Sequence, residues 1–216
     1  MDNSTASSHR PTNSSAKPAE RNVIAVSHTV SVAERATRYG HVGAVIWLTG
    51  LSASGKSTMA MALERALFAR SWSTYVLDGD NLRHGLNADL GFSPKDRSEN
   101  VRRIGRVAAL FADAGQICIS ACISPFQEDR AAARTAAQPH RFIEIHVSAD
   151  LNTCEGRDPK GLYRKARSGS LPGFTGIDSP YEVPHQPDLV LNTQANDIAT
   201  CLRTLETLVV AQCQVR

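Results

Sequence analysis

A stretch of eight residues has the spacing of a phosphate-binding loop. It reads Gly50-Leu51-Ser52-Ala53-Ser54-Gly55-Lys56-Ser57 and matches the pattern G-x-x-x-x-G-K-[ST] at every fixed position. Glycines let successive backbone N–H groups turn inward and surround phosphate oxygens. The lysine supplies a cation for the β- and γ-phosphates, and the hydroxyl after it can ligate Mg²⁺. The pattern therefore predicts binding of a nucleoside triphosphate with Mg²⁺, without identifying the reaction.

Two carboxylates, Asp78 and Asp80, follow the next apolar run, residues 74–77. Parallel sheets bind ligands beyond the carboxyl ends of their strands, so we expect both acids to face the phosphate loop. One acid can hold Mg²⁺ through water, and the other can orient or deprotonate an incoming hydroxyl. The alternative is a polar turn, because Asp-Gly is a common turn pair. Beside a phosphate loop, we favour the functional interpretation.

Further polar residues lie where a second anionic ligand is expected. Arg97 and Asn100 stand near the start of a predicted helix, although most such residues are solvated surface. The run 157–167 contains five arginines and lysines. Cations that close over a phosphoryl-transfer site stabilise the charge on the transferring group. A solvated, charged turn is the alternative for this run.

The elements that position these residues alternate between apolar runs and amphipathic stretches. We predict strands at 44–49, 74–77, 116–121, 142–147 and 189–192, and helices at 32–38, 56–70, 94–114, 128–137 and 198–210. This alternation predicts an α/β fold, a parallel sheet flanked by helices on both faces. Residues 156–187 interrupt the alternation and are rich in Gly, Pro, Lys and Arg. We interpret them as a lid, because long loops of this kind usually cover binding sites.

Composition narrows the class of protein. A chain of 216 residues with 42% hydrophobic and 21% charged residues is typical of one soluble domain. A net charge of +3 does not indicate the concentrated basic stripe of a nucleic-acid binder. No segment approaches the ~20 apolar residues of a membrane helix. Residues 1–21 contain almost no large apolar side chains, so we expect a disordered tail, with a transit peptide as the alternative, before a domain at 22–216.

The five cysteines show no C-x-x-C pairing. Their odd number and spacing argue against a disulfide framework or a zinc site. We interpret them as reduced thiols of a cytoplasmic protein and as small core residues.

Several separate stretches of the chain resemble the adenylyl-sulfate kinases. These are GAVIWLTGLS (43–52), LDGDNLRHGLN (77–87), GFSPKDRSENVRRIGRVAALFADAG (91–115), ISPF (123–126), CEGRDPKGLYRKARSGSLPGFTGIDSPYE (154–182) and PDLVLNT (187–193). The match as a whole covers roughly residues 22–210, and these stretches occur in the family's order. The resemblance implies a P-loop kinase fold. It also implies transfer of the γ-phosphoryl of ATP to the 3′-hydroxyl of adenosine 5′-phosphosulfate (APS), which gives 3′-phosphoadenylyl sulfate for sulfate assimilation.

The resemblance also implies a role for each matching residue. For ATP it implies Gly50, Ala53, Ser54, Gly55, Lys56, Ser57, Thr58 and Asn196, the last at the adenine. For APS it implies Asp80, Asn81, Leu82, Arg83, Phe92, Arg97, Asn100, Ile123, Ser124, Lys160, Gly173 and Phe174, with both phenylalanines around the adenine. The family's catalytic positions fall on Lys56, Asp80 and Ser124, and the Mg²⁺ positions on Ser57 and Asp78.

Family descriptions make the serine at position 124 a phosphoserine intermediate. An in-line transfer between two bound nucleotides needs no covalent relay, and Ser124 has no neighbouring base in the sequence to activate it. We therefore expect direct transfer.

Two other functions share some of these features. A kinase for another small hydroxyl substrate, such as gluconate or a nucleoside monophosphate, would have the phosphate loop but not the FSPKDR and FTG stretches. A regulatory nucleotide-binding module without catalysis would predict damage to Lys56, Ser57 or the acid pair, and all are intact. For partners, the resemblance suggests a homodimer and a functional link to ATP sulfurylase, by analogy only.

Overall fold

The structure is a computed structural model that describes Ile24 and residues 26–215. Its strands are β1 (Ala44–Thr49), β2 (Thr74–Asp78), β3 (Ile117–Ala121), β4 (Arg141–Ser148) and β5 (Leu189–Asn192). They form one parallel sheet in the order β2-β3-β1-β4-β5. The predicted tail at 1–21 lies outside the described residues.

Eight helices connect or flank the strands in the described part of the chain. They are α1 (Val32–Tyr39), α2 (Lys56–Ala69), α3 (Gly79–Leu82), α4 (Pro94–Asp113), α5 (Gln127–Ala136), α6 (Leu151–Arg157), α7 (Leu162–Arg167) and α8 (Ile198–Cys213). The predicted α/β architecture is therefore confirmed, with parallel strands and helices on both faces.

The central strand β1 is apolar and fully buried along its whole length. Its residues alternate between faces, as a strand's geometry requires. Ala44, Ile46 and Leu48 pack with α2 and α8, whereas Val45 and Trp47 pack with α4 and α5. A strand covered on both sides has no solvent-facing position, which explains its continuous apolar run.

Helix α4 carries local signals for its start and for its packing. Ser93 caps the helix by accepting a hydrogen bond from the N–H of Asp96, and Pro94 occupies the first turn as predicted. Farther along, a Cβ at Gly105 would lie 2.9 Å from the Cβ of Ala133. Glycine at this position therefore lets α4 and α5 approach closely.

The structure differs from the sequence interpretation in two segments. Residues 79–82 after β2, for which a polar turn is the alternative interpretation of the sequence, form the short helix α3, which Asp78 caps. The lid segment, residues 156–187, contains α7 and the end of α6 instead of continuous loop. Gly156, the first residue of that segment, lies inside α6.

The five cysteines are buried and free, as predicted for small core residues. In the described part of the chain, none of the helices has both the length and the apolarity needed to cross a bilayer.

His41 is the one fully buried histidine among the described residues. The backbone N–H of Ser73 donates to its Nε2 at 3.0 Å, so the ring proton lies on Nδ1, which is 3.1 Å from the carbonyl oxygen of Val42. These contacts require the neutral ring, and burial lowers the pKa of His41. Protonation would therefore break the bond from Ser73.

We expect the free energy of unfolding to fall as the pH drops below about 6.5, the pKa of an unperturbed histidine. In that range the unfolded chain binds more protons at position 41 than the folded chain does, because burial lowers the pKa of His41. The loss is at most about 1.4 kcal/mol per pH unit for one proton. Urea unfolding from pH 5 to 8 should show a shallower dependence for His41→Gln than for the wild type. Equal slopes would contradict this role.

Candidate active site

The phosphate loop connects β1 to α2 and adopts a conformation that its glycines permit. Gly50 has a φ of 154°, and a Cβ there would lie 2.4 Å from the carbonyl oxygen of Val147. Gly55, with a φ of 103°, caps α2. Ala53 also has a positive φ, 59°, a conformation that costs a non-glycine residue about 1–2 kcal/mol. The loop thus ends at a helix N-terminus, which favours anions.

Lys56 and Ser57 open α2 and point in different directions. The buried Nζ of Lys56 donates to the carbonyl oxygens of Gly50 (3.0 Å) and Leu51 (2.7 Å). Burial lowers the pKa of Lys56 to about 8. The hydroxyl of Ser57 donates to Oδ2 of Asp78 at 2.7 Å. The loop lysine therefore stays within its loop, while the serine joins the loop to the end of β2.

Asp78 serves both interpretations drawn from the sequence. Its Oδ1 accepts from the N–H groups of Asp80 (3.0 Å) and Asn81 (3.4 Å), which caps α3 as a polar turn would. Its Oδ2 faces the phosphate loop through Ser57. Asp80 instead projects into the cleft, where its Oδ2 contacts Nζ of Lys160 from the lid segment.

A second wall of the cleft is formed by the start of α4 and the residues before it. The ring of Phe92 is exposed, and the guanidinium carbon of Arg83 lies 4.1 Å from its centroid. Nearby, Asn87 Nδ2 donates to Oδ1 of Asn100 at 3.0 Å. This wall offers a flat apolar surface beside cationic and amide groups, a combination suited to a nucleotide base and an anion.

Arg97 joins this wall to the lid segment. Its Nε donates to the carbonyl oxygen of Phe92 at 2.8 Å, and its terminal nitrogens contact Gly173 O and Thr175 Oγ1. The adjacent Phe174 is buried, with its ring edge-on to Tyr163 at 5.0 Å between centroids. Arg97 is thus a bridge between α4 and the turn that carries Phe174.

Ser124 lies between β3 and α5 with a φ of 41° and is almost fully buried. Trp47 Nε1 donates to its Oγ at 3.1 Å, and the carbonyl oxygen of Cys122 lies 3.5 Å from the same atom. Neither an indole N–H nor a carbonyl can take the serine proton. Neither of these two partners can therefore act as a base for nucleophilic attack by Ser124.

The base of the lid segment is fastened to the phosphate loop by residues absent from the predicted site. Arg157 donates to Thr193 at Oγ1 (3.1 Å) and at the carbonyl oxygen (2.6 Å). Thr193 Oγ1 donates to the carbonyl oxygen of Ser54 at 2.7 Å, and Tyr163 OH donates to that of Ser52 at 3.0 Å. Arg157 belongs to the basic run that the sequence singled out. Thr193 follows β5 and has no chemical signal of its own.

These walls enclose one cleft of about 1110 Å³. The predicted residues that line it are Ala53, Gly55, Lys56, Ser57, Thr58, Asp78, Asp80, Arg83, Phe92, Arg97, Asn100, Ile123, Ser124, Lys160, Phe174 and Asn196. Those that do not line it are Gly50, Ser54, Asn81, Leu82 and Gly173. The latter shape the neighbouring backbone or core: Gly173 gives its carbonyl to Arg97, and Leu82 packs against the helix layer of α4.

Comparison with known proteins gives one consistent family. Residues 42–192 match the model of the adenylylsulphate kinase family. An adenylyl-sulfate kinase of Geotalea uraniireducens is 60% identical over 80% of this chain and 83% of its own length. The APS kinase CysC of Mycobacterium tuberculosis, solved in complex with AMPPNP and APS, is 50% identical with a TM-score of 0.74, over 77% of this chain and 98% of that one.

A hexameric APS kinase from Thiobacillus denitrificans is 30% identical with a TM-score of 0.63. The match covers 83% of this chain and 32% of that larger chain.

We expect nucleotide binding above pH 8 to take up protons. Lys56, with a pKa of about 8, is mostly neutral there, and triphosphate oxygens favour its charged form. At pH 8.5 the uptake should approach about three quarters of a proton per nucleotide. Calorimetry of AMPPNP binding in two buffers of different ionisation enthalpy measures this number. Lys160→Gln, which keeps Lys56, should give the same uptake, and buffer-independent heats would contradict the assignment.

Proposed function

The chain belongs to the adenylyl-sulfate kinase family, and from this premise we propose which residues of its cleft perform the reaction. The protein is an ATP-dependent kinase that transfers the γ-phosphoryl of ATP to the 3′-hydroxyl of APS, giving 3′-phosphoadenylyl sulfate and ADP. The observation that carries the proposal is the Lys160–Asp80 contact. It spans a cleft with a complete phosphate loop on one side and the Arg83–Phe92 wall on the other.

ATP occupies the side formed by the phosphate loop and α2. Backbone N–H groups of the loop and the N-terminus of α2 hold the phosphates, and Lys56 binds the β- and γ-phosphates. To do so its Nζ exchanges the carbonyls of Gly50 and Leu51 for phosphate oxygens. Asn196 lines the same side of the cleft and contacts the adenine.

Mg²⁺ is held through Ser57 and Asp78. Within the described residues, no cluster of three or more His, Cys, Asp or Glu side chains could hold a metal by itself. That fits Mg²⁺, which keeps several waters and takes one or two protein oxygens together with substrate phosphates. The Ser57 hydroxyl and Oδ2 of Asp78, 2.7 Å apart, offer two hard oxygen donors. When bound, the ion neutralises charge on the phosphate oxygens.

Asp80 receives the proton of the 3′-hydroxyl as that oxygen attacks the γ-phosphorus. Its carboxylate is exposed to the cleft, and its partner Lys160 comes from the lid segment. When the nucleotides bind, Lys160 can move from Asp80 to the transferring phosphoryl, which frees the carboxylate as a base and brings a cation to the developing charge. The transfer is direct, because neither hydrogen-bond partner of the Ser124 hydroxyl, the Trp47 indole and the Cys122 carbonyl, is a general base.

APS occupies the wall formed by α4 and the residues before it. Its adenine stacks on the exposed ring of Phe92, with Phe174 on the opposite side, and Arg83, Arg97 and Asn100 bind its polar groups. Because Arg97 already holds the turn that carries Phe174, ligand binding at Arg97 acts on both sides of the adenine.

Three broader proposals accompany this mechanism. Residues 22–216 form one domain, because the described residues share a single sheet with a core on each face. The protein associates as a homodimer, a proposal that rests on the family. It acts in the cytoplasm, a proposal that rests on its five free, buried thiols. An ATP sulfurylase supplies its APS, since an enzyme that adenylylates sulfate must precede this reaction. Light scattering of the purified protein measures its mass in solution and so tests the homodimer directly.

The activity is tested by incubating the protein with ATP, Mg²⁺ and APS and following ADP and 3′-phosphoadenylyl sulfate by chromatography. We expect one molecule of ADP and one of 3′-phosphoadenylyl sulfate per turnover with APS. With gluconate or AMP as the acceptor, we expect no phosphoryl transfer above background. Transfer to either of these acceptors at a comparable kcat/KM would contradict the proposed substrate.

We expect Asp80→Asn to lower kcat by about 100-fold or more while changing KM for either nucleotide much less. Removing a general base mainly affects the transition state, whereas removing a binding residue raises KM. Asp89→Asn is the matched control, because Asp89 is a surface carboxylate paired with Arg103 outside the cleft. A change confined to KM would make Asp80 a binding residue.

A further inference from the structure

The side chain of Arg130 in α5 is 1% exposed, yet all three of its guanidinium nitrogens have partners. Its Nε donates to Oε1 of Glu144 in β4 at 2.8 Å. One terminal nitrogen donates to the carbonyl oxygen of Ser124 at 2.7 Å, and the other to that of Glu182 at 2.8 Å. Arg130 does not line the cleft. Its three partners come from segments far apart in the sequence.

Two of these partners belong to segments that pack directly on each other. Residues 122–126, named here the substrate loop, include Ile123 and Ser124, which line the cleft and which the family resemblance assigns to APS. The N–H of Glu182 donates to Pro125 O at 2.8 Å, and Oε2 of Glu182 accepts from the N–H of Gln127 at 2.6 Å. The far end of the lid segment is therefore fixed to the substrate loop.

A neighbouring pair of hydroxyls reinforces the same junction. Tyr181 OH lies 3.1 Å from Thr49 Oγ1. The Thr49 hydroxyl donates in turn to the carbonyl oxygen of Ile123 at 2.6 Å. Tyr181 and Glu182, near the far end of the predicted lid at 156–187, are therefore hydrogen-bonded to the sheet and to the substrate loop.

The substrate loop needs such support because its backbone is unfavourable by itself. A φ of 41° at Ser124 lies in the left-handed region, and conformations of this kind persist only where the surroundings hold them. Arg130 holds the carbonyl of Ser124, and Trp47 holds its hydroxyl. One contact therefore holds the main chain of Ser124, and the other holds its side chain.

Net stability does not account for this arrangement. A buried ion pair seldom stabilises a protein more than apolar side chains of similar volume, since desolvation offsets the attraction. The planar guanidinium does, however, hold three acceptors in a fixed geometry that a lysine cannot reproduce. The geometry of Arg130 is thus better explained by what it positions than by what it stabilises.

We propose that Arg130 is a positioning residue for the APS side of the reaction. By holding the carbonyls of Ser124 and Glu182 together, it sets the shape of the substrate loop and the anchor of the lid segment. This inference rests on the proposed function, because it takes the substrate loop to face APS. Loss of the guanidinium should therefore weaken APS binding and leave the ATP side, built on α2, nearly unchanged.

The decisive variant replaces both members of the buried pair, Arg130→Met with Glu144→Met. It removes the carbonyl donors without leaving a buried charge unpaired, so folding should be retained. We expect KM for APS to rise at least about tenfold, with KM for ATP within about twofold of the wild type, since small misplacements of a site cost large factors. Arg134→Met is the matched control. Arg134, one turn on, also contacts Glu144 but neither carbonyl.

A second readout separates this inference from the proposed function. In a Trp72→Phe background, Trp47 is the sole tryptophan and its N–H bonds to Ser124, so its emission reports on the substrate loop without turnover. We expect the double variant, but not Arg134→Met, to shift that emission. If the wild type failed to phosphorylate APS while the shift occurred, the proposed function would be wrong, and only the structural part of the inference, that Arg130 shapes the substrate loop, would stand.

Wild-type values of both KM for APS and Trp47 emission in the double variant would overturn the inference. An equal rise in KM for APS in Arg134→Met would overturn it too, because loss of contacts to Glu144 would then suffice. Should the double variant not fold, Arg130→Lys decides by the same two readouts. Its ammonium keeps the charge beside Glu144 but cannot span three separated acceptors.

Discussion

The close approach of Gly50 to the carbonyl oxygen of Val147 constrains the whole functional end of this molecule. A Cβ at position 50 would lie 2.4 Å from that oxygen, so the backbone leaving β1 can pass β4 only as glycine. β1 is the middle strand and pairs with both β3 and β4. Where it turns, the phosphate loop is therefore placed at the edge of the sheet where the other parallel strands also end.

The polar residues at that edge each combine a local role with a role in the site. Asp78 caps α3 with one carboxylate oxygen and meets Ser57 with the other, so the helix that displays Asp80 is tied to the phosphate loop. Thr193 likewise accepts from Arg157 and donates to Ser54, which ties the lid segment to the same loop. Asp78 and Thr193 thus each connect the phosphate loop to a second element, so a substitution at either residue removes contacts in both.

The buried cations of the cleft region are compensated in different ways. Arg130 is paired with Glu144 and donates to two carbonyls. Arg97 donates to the carbonyl oxygens of Phe92, just before α4, and of Gly173 in the lid segment. Lys56 has only two loop carbonyls, and burial lowers its pKa to about 8. Neither Lys56 nor Arg97 therefore has a hydrogen-bond partner that carries a full negative charge, so an arriving anion favours the charged form of each.

The sequence by itself determined the parallel α/β architecture and the phosphate loop, because both depend on local patterns. The apolar run of β1 and the spacing from Gly50 to Ser57 are contiguous patterns that can be recognised without knowing the tertiary contacts. It did not determine that Asp78 would cap a helix, that Gly156 would lie inside α6, or that Thr193 would hold Arg157. Nor did it distinguish Arg130 from the other arginines of the chain. Those roles depend on which distant backbone carbonyls and side chains come within hydrogen-bond distance. Only the packed sheet and its helices decide that, because the partners are brought together by folding and leave no periodic signal in the chain.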